Sequence, residues 1–408
     1  MMRDDFYQAI PGDQVRAIVR EAPTPSYLYF DTLIARQIDQ VRETVGESFD
    51  VHYAAKANSH PDVLRAMASR GLGVDVASAG ELRIALECGF APERISFAGP
   101  GKTAAELERA IDCGIASISV ESLDELTLVG EIGGRLDRTA NVSIRVALEA
   151  ARSRAGLRMG RNSQFGMAVE ELDQAFATAR RYAGPIDLVG LHVHSGSQIL
   201  DSSAVLGNIE SLLRLAVRCE RQYRVRFRRL NFGGGWGIPY FAEQPELDLP
   251  GIRTGISDLL GTPGMRELAA RTSLVVEPGR FLVAESGIYV TEVLYRKTVR
   301  DRDFVIVDGG MHHNYVLAGG MGQVVRRNFE LDVLRMAEPH VPEPEPAQPF
   351  DVAGCLCTPQ DVLATNVPKE LYPRRGDRLV FFNSGAYGLG ASPIMFLSHD
   401  LPHVRYIS

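Results

Sequence analysis

From about residue 49 the chain alternates between two patterns. Short β-branched runs end in small or polar residues, and amphipathic runs follow them. "DVHYAAKAN" leads into "HPDVLRAMASRG", where Val63, Leu64 and Met67 fall at helical spacing and Gly71 marks a stop. "LGVDVAS" precedes "AGELRIALECG", "RISFAGP" precedes "TAAELERAIDCG", and "ASISV" precedes "ESLDELTLVGEIG". "NVSIRVAL" is followed by a longer loop and "VEELDQAFATARRYAG"; "DLVGLHVHSG" is followed by "SAVLGNIESLLRLAVRCERQY". "RRLNFGGG" and "SLVVEPGR" complete the series. Strands alternating with helices imply parallel βα units. Eight such units over roughly 230 residues predict an α/β fold, a (β/α)8 TIM-like barrel over residues 33–279. A doubly wound open sheet is the alternative.

After about residue 280 the pattern changes. "FLVAESGIYVTEVLYRKTV", "FVIVDGG", "PFDVAGCLC", "DRLVFFNSGAYG" and "VRYIS" read as strands with few helices between them. They predict a C-terminal β-rich, β-barrel-like domain, built from residues 1–32 and 280–408, with the early "SYLYFD" joining it. "MAEPHVPEPEPAQP" reads as an exposed loop.

The bulk numbers narrow the class. Of 408 residues, 45% are hydrophobic and 23% charged, as in an ordinary globular protein. A net charge of −7 argues against nucleic acid and anionic membrane surfaces as partners. The start, "MMRDDFYQAIPGDQ", shows no secretory signal, and no window approaches the ~18 apolar residues of a membrane span. The five cysteines form no CxxC pair, so neither a zinc ribbon nor a disulfide framework is indicated. A cytoplasmic protein is expected.

In a barrel, catalytic groups belong at the C-terminal ends of the strands. Polar residues gather there: Lys56, Asp75, Ser78, Arg145, His192, His194, Gly233 to Gly235, Glu277 and Arg280. Lys56 reads either as a lysine snorkelling from a strand terminus or as a Schiff-base lysine made nucleophilic by partial burial. Position alone favours the first. "NFGGGWG" could let backbone N–H groups approach a phosphate, or be a simple loop. His192 and His194 share one face of a strand; a metal site is not expected, because no third ligand follows at suitable spacing. "VVEPGR" puts an acid and an arginine at the end of an apolar run, either as an exposed ion pair or as a buried carboxylate facing a cofactor nitrogen. Pyridoxal phosphate needs a lysine, an acidic partner for its ring nitrogen and a phosphate nest, and one barrel end supplies all three.

With "YAAKAN", "DVASAGEL", "GLHVHSGSQI", "NFGGGWGIPY", "VEPGRFLVAESG", "GCLCTPQDVLA" and "SGAYG" taken together, the chain resembles the fold-type III pyridoxal-phosphate decarboxylases over nearly its whole length. These include the diaminopimelate, ornithine and arginine decarboxylases. The resemblance implies that Lys56 carries pyridoxal 5'-phosphate and that His194 stacks on its ring. Glu277 would pair with the ring nitrogen, and Ser197 with Gly233, Gly234 and Gly235 would bind phosphate. Asp75, Arg280 and Tyr387 complete the implied cofactor set. Arg145, Arg280, Thr358, Asp361 and Tyr387 are the implied substrate contacts, and Cys357 a general acid. It also implies a head-to-tail homodimer, in which the second subunit supplies Cys357 and Asp361 to a shared site.

One stretch departs from the family. Diaminopimelate decarboxylases carry C-E-S-G-D, whose acid grips the substrate's far amino group. This chain has Cys357-Thr358-Pro359-Gln360-Asp361. An uncharged threonine cannot pair with an ammonium as a carboxylate does. The stretch is more similar to branches that act on amino acids tethered to an acyl carrier protein, act on citryl conjugates, or accompany exosortase systems. A free basic amino acid held by Asp361 stays open, as do an alanine-racemase-like enzyme and a non-catalytic cofactor carrier.

Overall fold

The computed structural model describes residues 1–148, 157–158, 163–320, 326–336 and 348–408. Most of the proline- and glutamate-rich loop expected near residue 340 lies outside the described residues. Two compact units are formed, one from Met1–Arg36, Ile238–Pro245 and Leu282–Ser408, the other from Gln37–Gly237 and Glu246–Phe281.

In the second of these, eight parallel strands among the described residues close into a barrel. In chain order they are Phe49–Ala54, Gly73–Val76, Ile95–Phe97, Ser117–Val120, Ala140–Arg145, Ile186–His192, Arg229–Asn231 and Ser273–Val276. Each overlaps one of the eight predicted runs, so the barrel stands and the open sheet does not. Hydrogen bonding between Ser273–Val276 and Phe49–Ala54 closes the ring. The intervening helices begin at side-chain caps that the sequence supplies. Ser78 accepts from the Glu81 N–H, Ser122 accepts from the Glu125 N–H, and Thr103 forms a capping box with Glu106. Ser78 and Ser122 cap their helices two residues after a strand ends, and Thr103 does so after a longer loop.

The barrel's interior is polar as well as apolar. His52, fully buried on the first strand, lies where a Cβ on Gly73 would meet its ring at 2.3 Å, so only glycine fits there. Its ring shares Arg229 with Ser96, whose hydroxyl accepts from the guanidinium at 2.9 Å.

The other unit is a mixed eight-stranded sheet among the described residues. Ser26–Phe30 pairs antiparallel with Gly287–Val299 and parallel with His403–Ile407, so the early strand joins this sheet. Two N-terminal helices, Arg3–Ala9 and Gly12–Glu21, put Phe6, Val15 and Val19 into a core with Leu28, Phe30, Ile288, Val290 and Phe382. One expected strand is corrected. Residues 280–286 of "VEPGRFLVAESG" form a short helix and a 3-10 turn, and the strand begins at Gly287. Leu282 to Ser286 are buried on every side, and a continuous buried run carries no period that separates helix from strand.

Candidate active site

The barrel's C-terminal rim collects the charged and polar groups picked out above. Lys56 lies just past the first strand, on a single 3-10 turn, Ala55–Ala57. It is exposed, not half-buried as the nucleophile reading expected, because the turn lifts its side chain clear of buried Ala55 and Ala57. The chain has only four lysines. Lys102 is buried against Glu125 at 2.8 Å and donates to the Gly99 and Ser119 carbonyls. Lys297 and Lys369 belong to the sheet unit. Lys56 is thus the one amine at the rim without a structural post of that kind.

Two buried carboxyls face this amine. Glu277, at the end of the eighth strand, accepts a hydrogen bond from Asn231 Nδ2 and has His192 Nε2 3.7 Å away. Burial pushes its carboxyl above the ordinary range, against the opposing pull of the Asn231 bond and of Arg229, Lys56 and Arg145. Asp75, at the second strand, is also buried, and its Oδ1 has no hydrogen-bond partner among the described residues. Burial first, and then the Glu277 charge, hold its carboxyl well above the usual value. Desolvated acids of this kind wait for a cation or a proton donor.

The two histidines separate. His192 ends its strand inside the barrel, with Nδ1 3.0 Å from the Ser119 hydroxyl. His194 lies two residues beyond the strand, half-buried, and its Nδ1 accepts from the Gly234 N–H at 3.2 Å. That bond assigns the ring proton to Nε2. Burial, then the nearby Lys56 and Arg145 cations, keeps His194 neutral far below its usual pKa.

The glycine run is tighter than a phosphate loop alone requires. A Cβ on Gly234 would sit 2.1 Å from the Glu277 carbonyl oxygen, and Gly235 has φ +91 with the Gly196 carbonyl 2.3 Å from its missing Cβ. Of the three N–H groups expected to face an anion, two are committed. Gly233 donates to Asn231 Oδ1 at 2.8 Å, and Gly234 to His194. Ser197 lies close by in sequence to His194, half-buried, and Arg280 opens the short helix after the eighth strand.

Arg145 is buried in a 2.7 Å ion pair with Glu121, which also accepts from the Gly99 and Gly166 N–H groups. Its guanidinium lies 4.9 Å from the Phe165 ring centre. Sequence reasoning missed Glu121, although it follows the apolar run "ASISV" as Lys56 follows its own. Asn231 and Arg229 were missed too; both are polar residues inside the short strand "RLN".

The sheet unit holds the remaining candidates. Cys357 is exposed and Thr358 half-buried on the loop after strand Phe350–Ala353. Tyr387 is half-buried, with a left-handed φ of +54. Asp361, expected as a grip for a distal amine, is held by backbone donors. Its carboxylate is buried, turned into its own loop, and accepts from the Met311 and Leu356 N–H groups at 2.6 and 2.8 Å.

A family profile described as the pyridoxal binding domain of pyridoxal-dependent decarboxylases matches residues 32–284. The chain belongs to the pyridoxal-dependent decarboxylases. It is 35% identical over 391 residues to the L-glutamyl-[BtrI acyl-carrier protein] decarboxylase of Niallia circulans, covering 95% of this chain and 90% of that one. It is 32% identical to the 2-[(L-alanin-3-ylcarbamoyl)methyl]-2-hydroxybutanedioate decarboxylase of Staphylococcus aureus, covering 95% and 94%. Among solved structures it resembles diaminopimelate decarboxylase from Helicobacter pylori complexed with L-lysine, at a TM-score of 0.82 and 27% identity, covering 97% and 94%. This pyridoxal-dependent decarboxylase is a carboxy-lyase, which sets aside the racemase-like and carrier readings. Its cofactor is pyridoxal phosphate, and the rim fits that group. A buried acid with an orphan oxygen, a neutral imidazole, a clear lysine and bare glycine backbone are the chemistry it requires. No helix of the described residues is long and apolar enough to cross a membrane.

Proposed function

We propose that this decarboxylase acts on an amino acid whose side chain is tethered to a carrier protein or conjugated, not on a free basic amino acid. The observation that carries the reading is the loop after Cys357. Thr358 stands where a distal ammonium would need a carboxylate, and the next acid, Asp361, is buried and accepts a backbone N–H on each oxygen. The tether must run through the side chain, because the reaction uses both the α-amine and the α-carboxylate. Similarity to relatives named for a carrier-bound glutamate and for a conjugated substrate supports it.

Pyridoxal phosphate, when bound, supplies an aldehyde that captures amines and a protonated ring that takes up the electron pair left by carbon dioxide. Lys56 would hold that aldehyde and surrender it to the substrate amine. Glu277 would keep the ring nitrogen protonated; a carboxylate buried beside Asn231 gains most from a cationic partner. His194, neutral and pinned by the Gly234 N–H, offers a flat uncharged face for the ring. With Gly233 and Gly234 committed, Gly235, Ser197, Arg280 and Tyr387 would meet the phosphate. Asp75 would join Glu277 in holding the cofactor, and Arg145 and Thr358 would border the substrate. Cys357, exposed on its loop, would return a proton to the α-carbon of substrate bound to a second subunit.

Carbon dioxide release separates the substrate classes. Holoenzyme is assayed with free diaminopimelate, ornithine, lysine, arginine and glutamate, and with glutamate linked through its side chain to a carrier protein or an amide. Turnover confined to the linked forms is expected; faster turnover of a free basic amino acid overturns the reading. Mixing Lys56→Ala and Cys357→Ala subunits tests the shared site. Half the dimers are mixed and one of their two sites is intact, so about a quarter of wild-type activity returns. No recovery places Cys357 in its own chain's site or outside the chemistry.

A further inference from the structure

The sheet unit holds a second cluster of reactive side chains. His312, Cys355 and His399 converge so that one ligand atom of each lies within 4.8 Å of the others. They come from three separate segments. His312 follows the strand Arg302–Val307, Cys355 follows Phe350–Ala353, and His399 follows the turn Phe396–Ser398. Cys355 is held in place by its N–H, which donates to the Gly309 carbonyl at 3.1 Å.

His312 is the telling residue. It is fully buried, and neither ring nitrogen has a hydrogen-bond partner among the described residues. Its neighbour His313, tilted against it with ring centres 3.6 Å apart, is satisfied by the Tyr289 hydroxyl and the Asp400 carbonyl. A buried imidazole with both nitrogens unpaired costs a desolvation penalty that nothing in the packing repays. Cys355 is half-buried. His399 is exposed, leaving one side of the cluster open.

We infer that His312, Cys355 and His399 form a three-ligand site for a divalent ion of the zinc class, with a fourth position open to water or another ligand. Two imidazoles and one thiolate are the donor set that such an ion prefers over oxygen-seeking magnesium or calcium. Tetrahedral zinc, with bonds of about 2.0 Å to nitrogen and about 2.3 Å to sulfur, spaces its donors about 3.3–3.6 Å apart. The three ligand atoms, within 4.8 Å of one another, lie close to that spacing. Binding replaces the Cys355 S–H bond with a metal–sulfur bond and releases one proton to solvent. The expectation from sequence, which weighed only His192 and His194, is revised here. These three residues are too far apart in the chain for spacing to reveal.

The test uses dimer-competent holoenzyme, freed of metal with a chelator and titrated with Zn²⁺ against a chromophoric competitor. Co²⁺ is used in parallel, for its visible tetrahedral absorption. One equivalent per chain is expected, with cobalt absorption of tetrahedral intensity and one proton released. His399→Ala, at the surface where folding is not at risk, weakens binding at least about 10-fold, and Cys355→Ser removes the thiolate-dependent absorption. Less than a tenth of an equivalent in the wild type, or binding unchanged in both variants, overturns the assignment.

Discussion

Arg145→Met strands a buried carboxylate, and the structure sets the size of the effect. The Arg145 and Glu121 side chains are 7% and 2% exposed and meet at 2.7 Å. Removing one partner of a buried pair costs about 3–5 kcal/mol. Glu121 keeps the Gly99 and Gly166 N–H donors, which points to the lower end, about 3 kcal/mol. For a domain of this size that lowers the Tm by about 6–12 °C. Urea unfolding reads it through the single tryptophan, Trp236, which is buried in the barrel unit. Adding Glu121→Gln removes the stranded charge while keeping an amide oxygen for one of the two N–H groups. The double variant then recovers at least about half of the loss, a coupling that only a contacting pair shows. A cost below about 1 kcal/mol, as for an exposed pair, or two losses that simply add, would refute the buried-pair geometry.

Acid should weaken the barrel through His52. Burial pushes its imidazole down to about 4. As pH falls below ~6.5 the unfolded chain takes up the proton while the folded chain does not, so stability is lost between ~6.5 and ~4, by about 3 kcal/mol. Urea midpoints across that range should fall less steeply for His52→Gln; parallel slopes would contradict the assignment. Gly234→Ala forces a methyl against the Glu277 carbonyl, so cofactor affinity, read by absorbance titration, should drop at least about 10-fold. Thr358→Glu, which restores an acid at that position, should raise carbon dioxide release from diaminopimelate relative to the wild type; no change would remove Thr358 from the specificity argument.

The barrel was legible because each strand is a short apolar run ended by a small or polar residue, and those end residues are what the rim displays. Lys56, Asp75, His194 and Glu277 were visible for that reason. What stayed hidden depends on distance in space. Glu121 looks like a helix-start acid in "SVESLDEL" until Arg145 is brought onto it. Asp361 looks like a free acid until the Met311 and Leu356 N–H groups fold around it. The turn that raises Lys56 into solvent, and the commitment of the Gly233 and Gly234 N–H groups, are matters of local geometry that composition does not carry. Residues 280–286 misled because uniform burial erases the period on which strand and helix are told apart.

Borohydride reduction of the holoenzyme, followed by peptide mapping, tests the central claim most directly. The four lysines, Lys56, Lys102, Lys297 and Lys369, make the readout unambiguous. Phosphopyridoxyl label is expected on the peptide bearing Lys56, and its loss in Lys56→Ala. Label on Lys102 or on a lysine of the sheet unit, or label retained in Lys56→Ala, would contradict the account.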